Sequence, residues 1–294
     1  MFKKIRIEYV SPFKAIPTAD QLFGHIVWAI SDIYGEEAAS KFVEQVPVRI
    51  SSALPEGFFP IPVLPSKRKE NDDAIDQRNK AKRNKDLHWI SLMDFSFLQS
   101  GVRSLSDLDL SSCQPIIKTI EETRVSIDRT TMKASDGQLY SEEYLYPMTL
   151  AFYADFIDED KFPVNAMKEV LKVISINGIG GNRNIGRGQC KLTIEELSDL
   201  ENKIFNFTSD SSSFMTLSKC AGMNLDPISY RIEVFSGIVG RTYEGQGFYN
   251  KRPIALYDIG STFFSGEGGM FNEMSTDPKV STYAYAFPVR INYA

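Results

Sequence analysis

From Lys4 to Val10 the chain alternates, with Ile5, Ile7 and Tyr9 on one side and Lys4, Arg6 and Glu8 on the other. That is the period of a half-buried strand. A proline-bounded loop follows, SPFKAIP, and the period changes. Leu22, Phe23, Ile26, Val27, Ile30, Ile33 and Tyr34 fall on one helical stripe, as an amphipathic helix requires. Thr18 with Gln21 is a capping-box pattern at its start, and Gly35 is its stop. The chain therefore opens strand, loop, helix.

Pro47 to Pro65 carries five prolines and predicts an extended or irregular excursion. A basic run follows, and WISLMDF, Trp89 to Phe95, predicts a strand returning to the core. Glu121 to Tyr146 reads as a long hairpin. Its first arm holds RVSIDRTTM, Ser135-Asp136-Gly137 is the turn signal, and QLYSEEYLY runs back. Such an arm exceeds what a minimal sheet needs, so its tip projects. Ala151 to Asp155 predicts another strand. Val164, Met167, Val170, Leu171 and Ile174 mark an amphipathic helix that ends at Asn177-Gly178. A glycine-rich stretch and a short strand, Gln189 to Ile194, come next. Thr208 to Ser213 is polar, as a loop or domain junction is. Beyond it Phe214–Leu217, Tyr230–Phe235, Pro253–Ile259 and Tyr283–Tyr293 read as strands. Pro288 marks an edge or a bulge in the last of them. The pattern is that of an α+β protein whose second part is strand-rich and poor in helix.

Composition narrows the function. With 294 residues, 43% hydrophobic and 24% charged, the chain can bury one large core or two ordinary ones. The start, MFKKIRIEYV, has charge inside its apolar run and reads as neither signal peptide nor anchor. Cys113, Cys190 and Cys220 are an odd, scattered set, which fits a reducing cytoplasm and no disulfide framework. The only histidines are His25 and His88, so a His/Cys zinc site is excluded by ligand spacing, and no metal is expected. The net charge of −5 opposes nucleic-acid binding by the surface as a whole. Local charge matters more. Lys67 to Lys85 holds eight basic residues, four of them between Lys80 and Lys85. Such a run is most simply a solvated face.

The densest candidate chemistry is GIGGNRNIGRGQ, Gly178 to Gln189, with five glycines and two arginines in twelve residues. A dinucleotide or P-loop site needs a strand, the loop, then a helix whose N-terminus meets phosphate. Here a helix precedes and a strand follows, so no nucleotide cofactor is expected. Glycines do let backbone amides approach a phosphate or sugar. Arg183 and Arg187 add bidentate, charge-assisted contacts, and Asn182, Asn184 and Gln189 can bond base edges or ribose. That set suits single-stranded RNA. A flexible turn with incidental arginines is the plain alternative from these residues alone.

A helix followed by this loop and a strand resembles the signature of the RAMP superfamily of CRISPR proteins. So do Pro17 to Ile26, P-T-A-D-Q-L-F-G-H-I, and Arg124 to Tyr140, which is similar to the family's I-D-R hairpin segment. Within the superfamily the insertion ending in W-I-S most resembles the fifth-Cas-group subunit of type III-A effector complexes. The likeness covers the first two-thirds of the chain. It implies two ferredoxin-like, RRM-type modules packed side by side, 1–207 and 208–294, with a long protruding β-hairpin and a Pro/Lys-rich insertion. It implies a non-catalytic cap on the 5′ handle of a crRNA, touching the large signalling subunit and a backbone RAMP subunit. No cofactor or membrane enters. Carried over, handle phosphates would meet Gly178, Gly180, Gly181, Asn182, Arg183, Asn184, Gly186, Arg187 and Gly188. Arg124, Arg129 and Lys133 would line the hairpin, with Met132 as an apolar wedge near its tip. Thr18 and Asp20 would lie near the RNA path.

Two other functions compete. Some RAMP proteins cleave precursor crRNA with a general acid–base residue, often a histidine on the first helix, where His25 stands. The alternative to both is a pure scaffold, for which 12% aromatic content would supply interface anchors.

Overall fold

The computed structural model describes residues 1–65, 87–128, 130–208, 213–237, 251–272, 274 and 280–292. The basic run Lys67 to Lys85 and Arg129 lie outside the described residues. In chain order the first elements are β1 (Phe2–Tyr9), α1 (Ala19–Tyr34), α2 (Glu36–Gln45), β2 (Val48–Ile50), β3 (Leu54–Pro55), β4 (Phe58–Pro60) and β5 (Trp89–Ser91). Then come α3 (Leu92–Gln99), β6 (Thr119–Asp128), β7 (Lys133–Leu145), β8 (Thr149–Phe156), α4 (Val164–Asn177), β9 (Cys190–Glu195) and α5 (Asp199–Phe205).

β1 is flanked antiparallel by β8 and β9, and β8 carries β2 and β3 on its other edge. The alternation of β1 sends Ile5 and Ile7 to one face. They join Leu150, Phe152 and Ala154 of β8 and the stripes of α1, α2 and α4 in one core. The opposite face carries Phe2, Lys4, Arg6 and Tyr153, because Lys4 stands directly across from Tyr153. That face is not open. Phe2 stacks on Phe205 of α5 at 5.1 Å, and Tyr153, Phe59, Phe95 and Ile204 build a second core beside it.

The second core is shared with the later strands. These are β10 (Phe214–Thr216), β11 (Asp226–Ser229), β12 (Ile232–Phe235), β13 (Ile254–Tyr257), β14 (Thr262–Ser265), β15 (Gly268–Phe271), β16 (Thr282–Tyr285) and β17 (Pro288–Arg290). A four-stranded sheet runs β11–β14–β10–β17. Its Met215, Phe287 and Val289 pack with Phe59 and Tyr153 of the first part. With the two-residue β3 set aside, and numbered by their order along the chain, the four remaining strands of the first sheet and the four of the second lie second, third, first, fourth. Helices fill both crossovers in the first sheet. In the second, no helix occurs among the described residues, and β15–β16 occupies the later crossover.

Three local expectations need correction. WISLMDF is a strand only over Trp89–Ser91. Ser91 then caps α3, its Oγ accepting from Asp94 N–H at 3.1 Å, and Leu92, Phe95 and Leu98 turn inward at helical spacing. Tyr283 to Tyr293 is two strands, not one. β16 pairs with β15, and β17 pairs with β10 at the edge of the other sheet. Pro288 begins β17, where a missing N–H is tolerated. The hairpin β6–β7 turns through 130–132, and Asp128 pairs with Lys133. Ser135-Asp136-Gly137 instead lies on the return strand, where the register shifts between Val125↔Leu139 and Ile127↔Ala134.

Candidate nucleic-acid interface

The glycine-rich loop is an arch with a pinched neck. α4 ends at Gly178, whose N–H bonds Ile174 C=O at 2.8 Å and whose φ is 73°. Ile179 plunges into the core at 1% exposure. Its N–H donates to Gly188 C=O at 2.9 Å, and Gly188 N–H donates to Pro12 C=O at 2.9 Å. A Cβ on Gly188 would stand 2.1 Å from the Ile179 oxygen, and one on Gly178 would stand 2.7 Å from the Gly188 oxygen. Gly178 and Gly188 are therefore buried seams, and their expected role in touching phosphate is corrected by that burial.

The crown of the arch is exposed and internally braced. Asn182 takes a left-handed conformation, φ 61° and ψ 23°, and Arg183–Ile185 make one turn of 3-10 helix closed by Gly186. Asn182 C=O accepts from Ile185 and Arg187 N–H at 3.1 and 3.3 Å. Gly180, Gly181, Arg183, Asn184 and Gly186 are all exposed. Among the described residues, the amides of Gly181 and Asn182 meet no acceptor. A left-handed residue before a helical turn, with consecutive unbonded amides, has the form of an anion-binding nest. Arg183 supplies the charge there. The single hydrogen bond of its guanidinium among the described residues is a long one, 3.5 Å, to Gly178 C=O.

His25 lies under the arch. Its Nε2 accepts from Gly180 N–H at 3.4 Å. Burial first, and the charge of Arg183 second, bring its pKa down to about 4. His25 is thus neutral at neutral pH.

Arg187 and Arg124 point elsewhere. Both guanidinium groups lie over the ring of Tyr144, at 5.3 and 5.2 Å, and Lys14 approaches the same ring at 5.1 Å. Arg187 grips both oxygens of Glu122. Arg124 bonds Glu122 and Glu142 at 3.3 Å each, and Lys14 reaches Glu142 at 3.4 Å. Asn182 Nδ2 donates to the Tyr144 hydroxyl at 2.8 Å, and that hydroxyl donates to Glu142. Burial, then the bond to Glu142, pushes the Tyr144 hydroxyl above the ordinary phenol range. The same bond holds Glu142 below the usual carboxylate range. Arg124, Asn182 and Arg187 are brought together, but as a knot that ties the hairpin base to the loop. In this structure the guanidinium groups of Arg124 and Arg187 face two carboxylates.

Sequence reasoning missed Tyr144, Lys14, Glu122 and Glu142. The signal lay in the register. Glu122 stands directly across from Glu142, and like charges in that position require cations between them.

The remaining predicted residues lie apart. Met132, 79% exposed and with φ 55°, and Lys133 are at the hairpin tip. Thr18 and Asp20 serve the start of α1. Thr18 N–H donates to Gln21 Oε1 at 3.4 Å, and Thr18 Oγ donates to Asp20 at 2.5 Å. Burial raises the Asp20 carboxyl, countered by that bond and by the charge of Lys251. No contact among the described residues joins Thr18 or Asp20 to the arch.

A family model described as the RAMP superfamily matches residues 18–191, from the cap of α1 through the arch into β9. The chain belongs to the RAMP superfamily. Among RAMP relatives, the CRISPR system Cms protein Csm4 of Thermococcus onnurineus (strain NA1) is 25% identical over 204 residues, 67% of this chain and 69% of that protein. The fold of this RAMP chain is similar to two solved assemblies. One is a Csm3–Csm4 subcomplex of the type III-A CRISPR-Cas interference complex, with TM-score 0.69 and 18% identity over 99% of this chain and 100% of that one. The other is a Csm1–Csm4 cassette in complex with pppApA, with TM-score 0.67 and 19% identity over 99% of both chains. Among the described residues of this RAMP protein, no helix is long and apolar enough to cross a membrane.

Proposed function

We propose that this RAMP chain is the non-catalytic crRNA-binding subunit of a type III-A interference complex, where it caps the 5′ handle. In that role it bridges the large signalling subunit and a backbone RAMP subunit, as the company of Csm4 in the solved Csm1–Csm4 and Csm3–Csm4 assemblies supports. The carrying observation is the crown of the arch: unbonded amides at Gly181 and Asn182 beside the exposed Arg183. The strand order of both sheets supports two ferredoxin-like modules. The β6–β7 hairpin is the thumb of this reading, with Met132 and Lys133 at its tip.

Crosslinking the purified complex to its crRNA and mapping the attached peptides tests the reading. Peptides from 178–189 should carry RNA, and Arg183→Glu should strip the handle while the subunits stay assembled. Unchanged RNA retention in that variant would favour the scaffold.

The nuclease reading has one observation in its favour: His25 meets the loop and lies near Arg183. Its Nε2 is already engaged and its pKa is about 4, far from the value a general acid or base needs at neutral pH. His25→Ala should leave crRNA maturation unchanged; loss of maturation would reinstate the nuclease.

A further inference from the structure

Beside the arch, one face of α1 carries Gly24 and the part-exposed Trp28. Gln21, Gly24, His25 and Trp28 stand at i, i+3, i+4 and i+7, so they adjoin one another on one face, with about 5–6 Å between neighbouring Cβ atoms. His25 is the member the arch touches. Trp28, one turn on, is 45% exposed. Gly24 is the anomaly. Glycine is the poorest helix former after proline, yet its φ is ordinary and a Cβ there would meet nothing within 4 Å. Across from His25, Gly181 has the same two properties. Trp28 and Gly24 thus adjoin His25 on α1, and Gly181 follows the residue whose amide meets it, with the charge of Arg183 felt at His25.

We propose that this trough between α1 and the arch binds one unpaired nucleotide of single-stranded RNA, its base stacked on Trp28 and its phosphate at Arg183 and the crown amides. The proposal rests on the RNA reading above and extends it to a residue outside the loop. An aromatic face takes any base, so the site is tolerant of sequence. Neutral His25 gives the trough a floor without charge. Asp32, exposed one turn beyond Trp28, repels phosphate on that side and so directs the backbone toward Arg183.

The full chain and a fluorescein-labelled single-stranded RNA octamer, titrated by anisotropy, test this. Trp28→Ala should raise Kd roughly tenfold or more, as the loss of one stacked base does. Trp28→Phe should recover most of that loss, since it keeps a ring. With 5-iodouridine in the octamer, the wild-type crosslink should map to Trp28. RNA bound as tightly by Trp28→Ala as by wild type, while Arg183→Glu fails, would overturn the trough and leave the RNA reading standing. No binding by the wild-type chain in low salt would remove both. Because Trp28 is exposed, each variant should keep the wild-type melting temperature. If Trp28→Ala alone melts early, Trp28→Phe and the crosslink decide: RNA crosslinked elsewhere than α1 overturns the proposal.

Discussion

Gly188 and Gly181 lack side chains for different reasons. At Gly188 the fold leaves no room, since a Cβ would overlap the Ile179 carbonyl and φ is 69°. Gly188→Ala should cost on the order of 2–3 kcal/mol in urea unfolding. At Gly181 the fold is indifferent, and Gly181→Ala should change stability by less than about 0.5 kcal/mol. A fall in RNA affinity in that variant would then report the close approach of a ligand. His25 adds a pH term. Unfolded, its imidazole takes a proton near 6.5, and folded it refuses one until about 4. Between those values the unfolded state binds more protons. His25's contribution is therefore complete above pH 6.5 and drains away as pH falls toward 4. Unfolding free energy measured against pH should show that slope, and His25→Gln should flatten it.

At the scale of elements, the hairpin is two things joined. Its base is structural: Phe13 and Leu145 exchange both backbone bonds, at 3.2 and 2.7 Å, and Tyr144 is fully buried among three cations. Beyond the base, Val125, Ile127, Leu139 and Tyr140 are all exposed. Removing 126–138 and joining Val125 to Leu139 through Asn-Gly should therefore leave the melting temperature nearly unchanged. Any effect of the trimmed protein should appear in RNA retention or subunit assembly, and an early melt would show that the outer arm is structural. The same division explains what the sequence disclosed. β1, α1 and α4 were legible because period and caps are written in adjacent residues. The arch was legible as a loop for the same reason. The hairpin turn was not, because Ser135-Asp136-Gly137 is a stronger local turn signal than Arg129 to Met132, and only the pairing of Asp128 with Lys133 overrides it. The ionic knot was illegible because Lys14, Glu122, Glu142 and Arg187 meet only through register and tertiary packing. Trp89 to Phe95 misled because three strand residues run straight into a helix, and Ser91, its cap, carries no period of its own.

Across the whole molecule, charge decides where RNA could lie on the proposed reading. In RRM-type modules the exposed sheet face stacks bases. In this chain the face of β1 that carries Phe2, Lys4 and Arg6 is spent on the protein itself. Lys4 bonds Glu56 at 3.1 Å and Glu201 at 3.5 Å, Arg6 bonds Glu56 at 3.3 Å, and Tyr153 donates to Glu201 at 2.8 Å. Burial alone would raise the Glu201 carboxyl; Ser198, Tyr153 and Lys4 together hold it below the usual range. Glu201→Ala leaves Lys4 and Tyr153 without that partner in the seam between the sheets and should cost roughly 3 kcal/mol, read from urea unfolding. With these cations paired, and Arg124, Arg187 and Lys14 held in the knot, the described surface near the arch has Arg183 and the crown amides left for phosphate. On the proposed reading, a chain of 33 basic and 38 acidic residues would bind RNA through few contacts. With one cation left for phosphate, the slope of log K against log salt should be roughly −0.7, and Arg183→Gln should remove most of it. A slope several times steeper would transfer the binding from the arch to the basic run between Lys67 and Lys85, which carries the one concentration of positive charge large enough to produce it.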